Sequence, residues 1–187
     1  MSQPGPTIPA RAIIVSFVAM MLAASVFAWF VVRHVRQDAV VADRAVRVAG
    51  WSILAYADHE GRFPTDQAML ESAFSEQAAT GAAPVPAWWT QVAPAPAGAP
   101  RAWPVRLVDA GIDGPPLEGG RDLPRELRAA LRGIAVQFAS DPAQPPRVGA
   151  GGRPTKLGTL SEVNGWLEAW TLERSRASQP VAPGSTG

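Results

Sequence analysis

An uncharged run from Ala12 to Val32, AIIVSFVAMMLAASVFAWFVV, is the strongest hydrophobic signal along the chain. At about 1.5 Å of rise per residue it spans roughly 30 Å as a helix, the depth of a bilayer's hydrocarbon core. Trp29 falls near its end, where an amphipathic indole is favoured, and Arg33, His34 and Arg36 mark the return to water. Val26-Phe27-Ala28 could serve as a signal cleavage site, but the apolar run continues through Trp29 to Val32 and no Lys-rich segment precedes it. The pattern predicts a retained, single-pass transmembrane helix over 12–32.

No helix breaker interrupts residues 33–60. Apolar positions recur at Val35, Ala39, Ala42, Val46, Ala49, Ile53 and Tyr56, in steps of four and three that keep them on one helix face. Val41 and Val48 widen the stripe, and Asp43 and Arg47 form an i,i+4 pair with the acid first. Such a face packs on the protein's own head or against a helix of another subunit. Gly61 reads as the C-cap of this rod, and Pro64 prevents its continuation. Thr65 is then placed to cap a short helix from Asp66 to about Ala78, with Met69, Leu70, Ala73 and Phe74 on one side.

Residues 80–104 are rich in Ala and Pro and hold Trp88, Trp89 and Trp103; they read as extended coil whose indoles pack on the head, a Trp-lined groove being the alternative. Alternation of Trp103, Val105 and Leu107 predicts a strand over 103–109, and that of Ile134, Val136 and Phe138 a second strand, with a helix from Asp122 to about Arg132 between them. Residues 140–158 read as loop. Thr159 and Glu162 have capping-box spacing before a last helix carrying Val163, Trp166, Leu167 and Trp170. The expected organisation is a disordered tail (1–11), the transmembrane helix (12–32), its amphipathic extension (33–60), a globular head (61–173) and a disordered tail (174–187). The fold class is α+β, with a short antiparallel sheet and helices.

The balance of 17 basic and 16 acidic residues offers no field for nucleic acid. The absence of Cys excludes disulfides, thiolate metal sites and a Cys nucleophile, and 19 Pro work against a large sheet. His34 lies at the expected membrane edge. His59 reads as a cation at a helix C-terminus, with a metal ligand or a base as the sharper alternative. GAGGRPTK, Gly149 to Lys156, looks superficially like a phosphate loop, but it lacks Gly before the Lys and Ser or Thr after it. With no group of nucleophile, base and orienter to assemble, the chain is expected not to be an enzyme. Asp109, Asp113, Glu118 and Asp122 form the one candidate ion site, suited to a hard cation such as calcium, although turn-forming Asp explains the loop equally well.

ILAYADHEGRFPTDQAMLESAF resembles the junction in type II secretion pseudopilins and related type IV pilin-like proteins. There the long N-terminal helix ends in a Tyr, a Gly-containing turn, an aromatic-Pro-Thr and a short helix with a Leu. Those positions here are Tyr56, Gly61, Phe63, Pro64, Thr65 and Leu70. RLVDAGIDGPPLEGGRDLP is similar to that family's Gly- and Asp-rich loop, and the resemblance raises the expectation of calcium there. The family's leader ends in Gly before an aromatic, with a Glu at the start of the apolar run. The nearest register here puts Pro6 at the aromatic position and Ala10 at that of the Glu.

The resemblance implies a pilin-like fold, an N-terminus in the cytoplasm and a head outside the bacterial inner membrane. The charge count across the span, Arg11 and the α-amino group against Arg33, Arg36, Arg44 and Arg47, points the other way. The expected function is that of a membrane-anchored, non-catalytic envelope protein, a divergent component of a secretion or pilus machine that meets other subunits through its N-terminal helix. The alternative is a membrane-tethered module binding a peptide, polysaccharide or envelope partner.

Pro6 constrains the backbone beside the Gly5–Pro6 bond, and Ala10 supplies no carboxylate. Protein purified from its native membrane is therefore expected to keep residues 1–5. Intact mass spectrometry checks this; a product starting at Pro6 contradicts it.

Overall fold

The computed structural model describes residues 10–75, 85–94, 103–112, 117 and 120–178. Among these, four α-helices and two strands occur: α1 (Ala10–Glu60), α2 (Gln67–Ala73), α3 (Leu123–Gly133), β1 (Ala135–Gln137), β2 (Arg147–Gly149) and α4 (Thr159–Ala177). Two 3₁₀ turns, Ala87–Trp89 and Leu107–Ala110, complete an α+β layout. The chain divides into two compact units, Met1–Gln37 and Asp38–Gly187.

In the first unit, the helix is exposed on every side from Arg11 to Gln37, including Ile13, Phe17, Met20, Phe27 and Phe30. By length and composition this is a helix able to cross a membrane. The Ser25 hydroxyl donates to the Met21 carbonyl at 2.8 Å, so that polar group is satisfied within the helix. The Arg33 guanidinium lies 5.2 Å over the Trp29 ring.

The second unit is organised around the remainder of α1. Every residue from Val48 to Ala57 is buried, a pattern that a one-sided stripe cannot produce. The expected face is realised from Ala42 onward: Ala42, Val46, Ala49 and Ile53 are fully buried and Ala39 is half-buried. Val35, in the first unit, and Val41 are exposed. On one side α4 approaches so closely that a Cβ on Gly50 would sit 2.2 Å from Val163 Cγ1. On another, Ala45 and Val48 share a small-residue groove with Ala129, Ala130 and Gly133 of α3. A third side is covered by residues 85–94, where Trp51 Nε1 donates to the Trp89 carbonyl at 2.8 Å and the Ala93 amide donates to Asp58 at 2.8 Å. These residues pack against the helix that the hydrophobic pattern assigns to an extension, so the head's compact unit starts at Asp38.

Several elements differ from the sequence expectation. Asp66, not Thr65, caps α2: its carboxylate accepts from the Met69 amide at 2.7 Å, a charge-assisted bond that a Thr hydroxyl would not match. No strand forms over 103–109. Pro104 removes a donor, Arg106 makes one isolated bridge to Gln91, and the chain then winds into the 3₁₀ turn that ends at Gly111. The strand expected around Val136 is present as β1, but its partner β2 lies inside the segment read as loop. The register pairs Ala135 with Gly149, Val136 with Val148 and Gln137 with Arg147. Three residues ending in Gly carry no readable alternation. What holds β2 is the Asn164 side chain of α4, which accepts from the Val148 amide and donates to its carbonyl, both at 2.9 Å, and so occupies the free strand edge.

α3 begins beside Asp122 and Pro124 as expected, burying Leu123, Leu127, Ala130 and Leu131. α4 lacks the expected capping box: Gly158 holds the N-cap position without a side-chain bond, and Thr159 and Glu162 turn towards α1. α4 also runs on to Ala177, so the segment from 174 is helix at its start rather than tail.

Gly50 and Gly165 are both helix-interior glycines, with opposite surroundings. A Cβ at Gly165 meets nothing within 4 Å. Gly165→Ala should stabilise by about 1 kcal/mol, the propensity difference. Gly50→Ala should destabilise by about 1–3 kcal/mol through overpacking against Val163. Pairing Gly50→Ala with Val163→Ala should recover part of the loss, as read by denaturant unfolding of the detergent-solubilised chain; additive losses contradict the close approach.

Candidate functional site

The densest polar arrangement joins α1 to the start of α4. Asp43 is almost completely buried, and its carboxylate accepts from the Thr159 hydroxyl and, at 3.3 Å, from Arg47 Nε one turn along α1. Arg47 also forms a two-pronged pair with Glu162, at 3.1 and 2.7 Å, and donates to the Ala110 carbonyl at 3.0 Å. Its guanidinium lies 5.9 Å from the centre of the Trp166 ring. The bond to Glu162 raises the Arg47 pKa further above its ordinary value; burial opposes this, and the charges of Glu162 and Asp43 add to it. One cation thus ties together α1, α4 and the 3₁₀ turn before Gly111. It offers no open position for a substrate.

The junction residues converge at the end of α1. Tyr56 is buried there, and burial first, then Glu60, pushes its phenol above its ordinary pKa while Arg62 opposes. Gly61 takes the left-handed conformation (φ 73°), and its amide closes the helix on the Ala57 carbonyl at 2.8 Å. A Cβ there would also meet the Arg174 guanidinium at 2.5 Å. Phe63 and Pro64 are buried; the Phe63 ring meets Trp170 edge-on at 5.0 Å, and its amide donates to the Pro142 carbonyl at 2.9 Å. Thr65 is half-buried beside the Asp66 cap, and Leu70 is fully buried. All six residues act in chain reversal and core packing.

His59 stacks on Trp88 with ring centroids 4.5 Å apart and planes nearly parallel. Phe74 contacts both Trp88 and Trp89. Trp89 is buried, and its Nε1 has no acceptor among the described residues; Trp103 is also buried, its Nε1 donating to the Ala93 carbonyl at 3.3 Å. Trp89 and Trp103 are part of the core, and Trp88 is half-buried against it.

Of the candidate ion ligands, Asp109 lies in the 3₁₀ turn, its carboxylate bound by Arg106 at 3.0 and 3.1 Å, which raises the Arg106 pKa. Asp122 stands at the start of α3. Asp113 and Glu118 lie outside the described residues. Among the described residues no group of three or more His, Asp or Glu is placed to hold a metal ion.

Pattern reading marked Asp43 and Arg47 as a helix pair and Thr159 and Glu162 as a cap, but did not join them. The signal it could have used is Asp43 itself, a carboxylate next to Ala42 at the edge of a buried stripe.

Comparison with protein-family models, curated proteins and solved structures finds no match to this chain.

Removing Arg47 leaves the buried Asp43 charge without its cation, whereas Glu162 is half-exposed and can turn to water. Arg47→Met is expected to cost about 3–5 kcal/mol. Glu162→Gln should cost at most about 1 kcal/mol. Urea unfolding followed by Trp fluorescence measures both, and equal losses contradict the primacy of Asp43.

Proposed function

We propose that this chain is a membrane-anchored, non-catalytic envelope protein of pilin-like build, a divergent component of a secretion or pilus machine in the bacterial inner membrane, with its head on the outer side. The observation that carries this reading is the change in burial along α1. The helix is exposed through its apolar, membrane-length stretch, then enclosed on all sides between Val48 and Ala57. A chain with a membrane-length apolar helix followed by a compact head of its own suits a scaffold subunit held at the membrane. The reversal at Gly61, Phe63 and Pro64 supports the pilin-like reading through the same junction residues. The charged side chains gathered at Asp43, Arg47 and Glu162 are occupied in joining α1 to α4.

The full chain is expected to remain in the membrane pellet after alkaline carbonate extraction, while a chain beginning at Val35 goes to the soluble fraction. Crosslinking in intact cells should recover subunits of a secretion or pilus assembly with the full chain. Release of the full chain by carbonate contradicts the anchor. Recovery of an unrelated envelope ligand favours a tethered binding module instead.

A further inference from the structure

α4 ends beside the chain reversal at Gly61, and a cleft of about 260 Å³ opens between them. Its walls come from parts of the head that are distant in sequence: the reversal itself, Pro142 and Ala143 before β2, and the last turns of α4. Chain reversal and core packing account for Gly61 and Trp170. They do not account for the polar groups gathered around them.

Arg174 is held there without an anion. Its guanidinium lies 5.3 Å from the centre of the Trp170 ring and against Gly61, where a Cβ would come within 2.5 Å of Nη2. A guanidinium stacked on an aromatic face keeps the N–H edge of its fork available to a planar anion. Arg62, exposed beside Tyr56, is the second cation of the cleft. No Asp or Glu is among the described residues that line it. The acids that flank the cleft in sequence are engaged elsewhere. Glu173 pairs with Arg176 at 2.5 Å, the Asp141 carboxylate accepts from the Ala143 amide at 2.9 Å, Glu60 faces His59 at 3.8 Å, and Asp66 caps α2. Arg44, Arg47 and Arg106 each pair with a carboxylate of this chain; among the described residues Arg174 pairs with none.

The hydroxyls of the cleft have the other polarity. Thr171, Ser175 and Ser178 donate to the Leu167, Thr171 and Arg174 carbonyls, each at 2.9 Å, so what they offer a ligand is lone pairs. The two cations thus call for an anion, the hydroxyl oxygens for N–H donors, and the Trp170 and Pro142 surfaces for a small apolar body. Inorganic phosphate brings acceptors alone and sets them against those lone pairs. A peptide carries all three features.

We propose that this cleft binds a peptide segment that presents a carboxylate, with the carboxylate forked onto Arg174, Arg62 beside it, and peptide N–H groups on the α4 hydroxyls. The volume is just under the roughly 300–1,000 Å³ of ordinary ligand pockets and suits a chain end or one acidic side chain with its own backbone. Every lining residue belongs to the head's compact unit, so the site stands independently of the membrane reading.

The full chain in an uncharged detergent, isotope-labelled at Trp, reports on the cleft through the indole N–H signal that Trp170→Phe removes. Calorimetric titration of the same probes measures binding without that assignment. The probes are N-acetyl-Ala-Gly with a free carboxylate, its C-terminal amide, N-acetyl-Ala-Glu amide and inorganic phosphate. The Trp170 signal is expected to shift saturably with at least one of the two carboxylate probes. A response to N-acetyl-Ala-Gly alone assigns the carboxylate to a C-terminus, and a response to N-acetyl-Ala-Glu amide alone assigns it to a side chain. Arg174→Gln should raise the half-saturating concentration about tenfold or more, through loss of charge-assisted bonds, with the other indole signals in place. Arg174→Lys should restore only part of the binding, because an ammonium cannot fork. Equal binding of N-acetyl-Ala-Gly and its amide, equal binding of phosphate, or no binding of any probe overturns the proposal. Undiminished binding by a folded Arg174→Gln chain overturns it as well.

Discussion

A helix enclosed on every side has no polar face to give to water, and the head of this protein follows from that constraint. Between Val48 and Ala57 each side chain of α1 is taken up by a neighbour. The neighbours must therefore come from all parts of the later sequence: α4 at Gly50, α3 at Val48, and residues 85–94 at Trp51 and Asp58. The backbone of a helix satisfies its own hydrogen bonds, so full enclosure costs nothing in unpaired amides. A strand in the same place would need partners on both edges. This explains how a head whose described residues form one two-stranded sheet can be organised around a single long element.

Enclosure by elements far apart in sequence needs something to set their register, because apolar packing is not directional. The Asp43–Arg47–Glu162–Thr159 group supplies it. A guanidinium binding a carboxylate with both prongs permits one orientation, and a buried carboxylate without that partner is costly. Asn164 does the same for the sheet: with two bonds to Val148 it fixes where β2 sits against α4. Polar groups here choose the arrangement that apolar burial stabilises.

The two ends of the head are built differently. At the far end, Gly61, Phe63 and Pro64 turn the chain back beneath Trp170, and His59 and Phe74 gather the indoles of Trp88 and Trp89. Aromatic packing holds that end together. The opposite end, near Asp43, carries a glycine-shaped loop with Leu157 exposed and the Arg44–Glu126 ion pair.

Local chemistry alone determined much of this protein. The uncharged 12–32 run, the uninterrupted helix to Glu60, the stop at Gly61, the start of α3 beside Pro124 and the apolar face of α4 each depend on residues within a turn or two of one another. Tertiary structure decided the rest, for identifiable reasons. Alternation at Trp103, Val105 and Leu107 yielded a single bridge, from Arg106 to Gln91, while β1 paired with Arg147–Gly149, whose hold on the fold comes from an Asn fifteen residues and more away. Thr159 and Glu162 carried the spacing of a cap, but a buried Asp43 and an Arg47 beside them made the stronger bonds. The stripe on α1 told one face of its packing and not the others, since a helix surrounded on all sides shows its period only where the enclosure begins. Period and capping are written within a few residues; which distant group outcompetes a local one is settled only once the chain has brought them together.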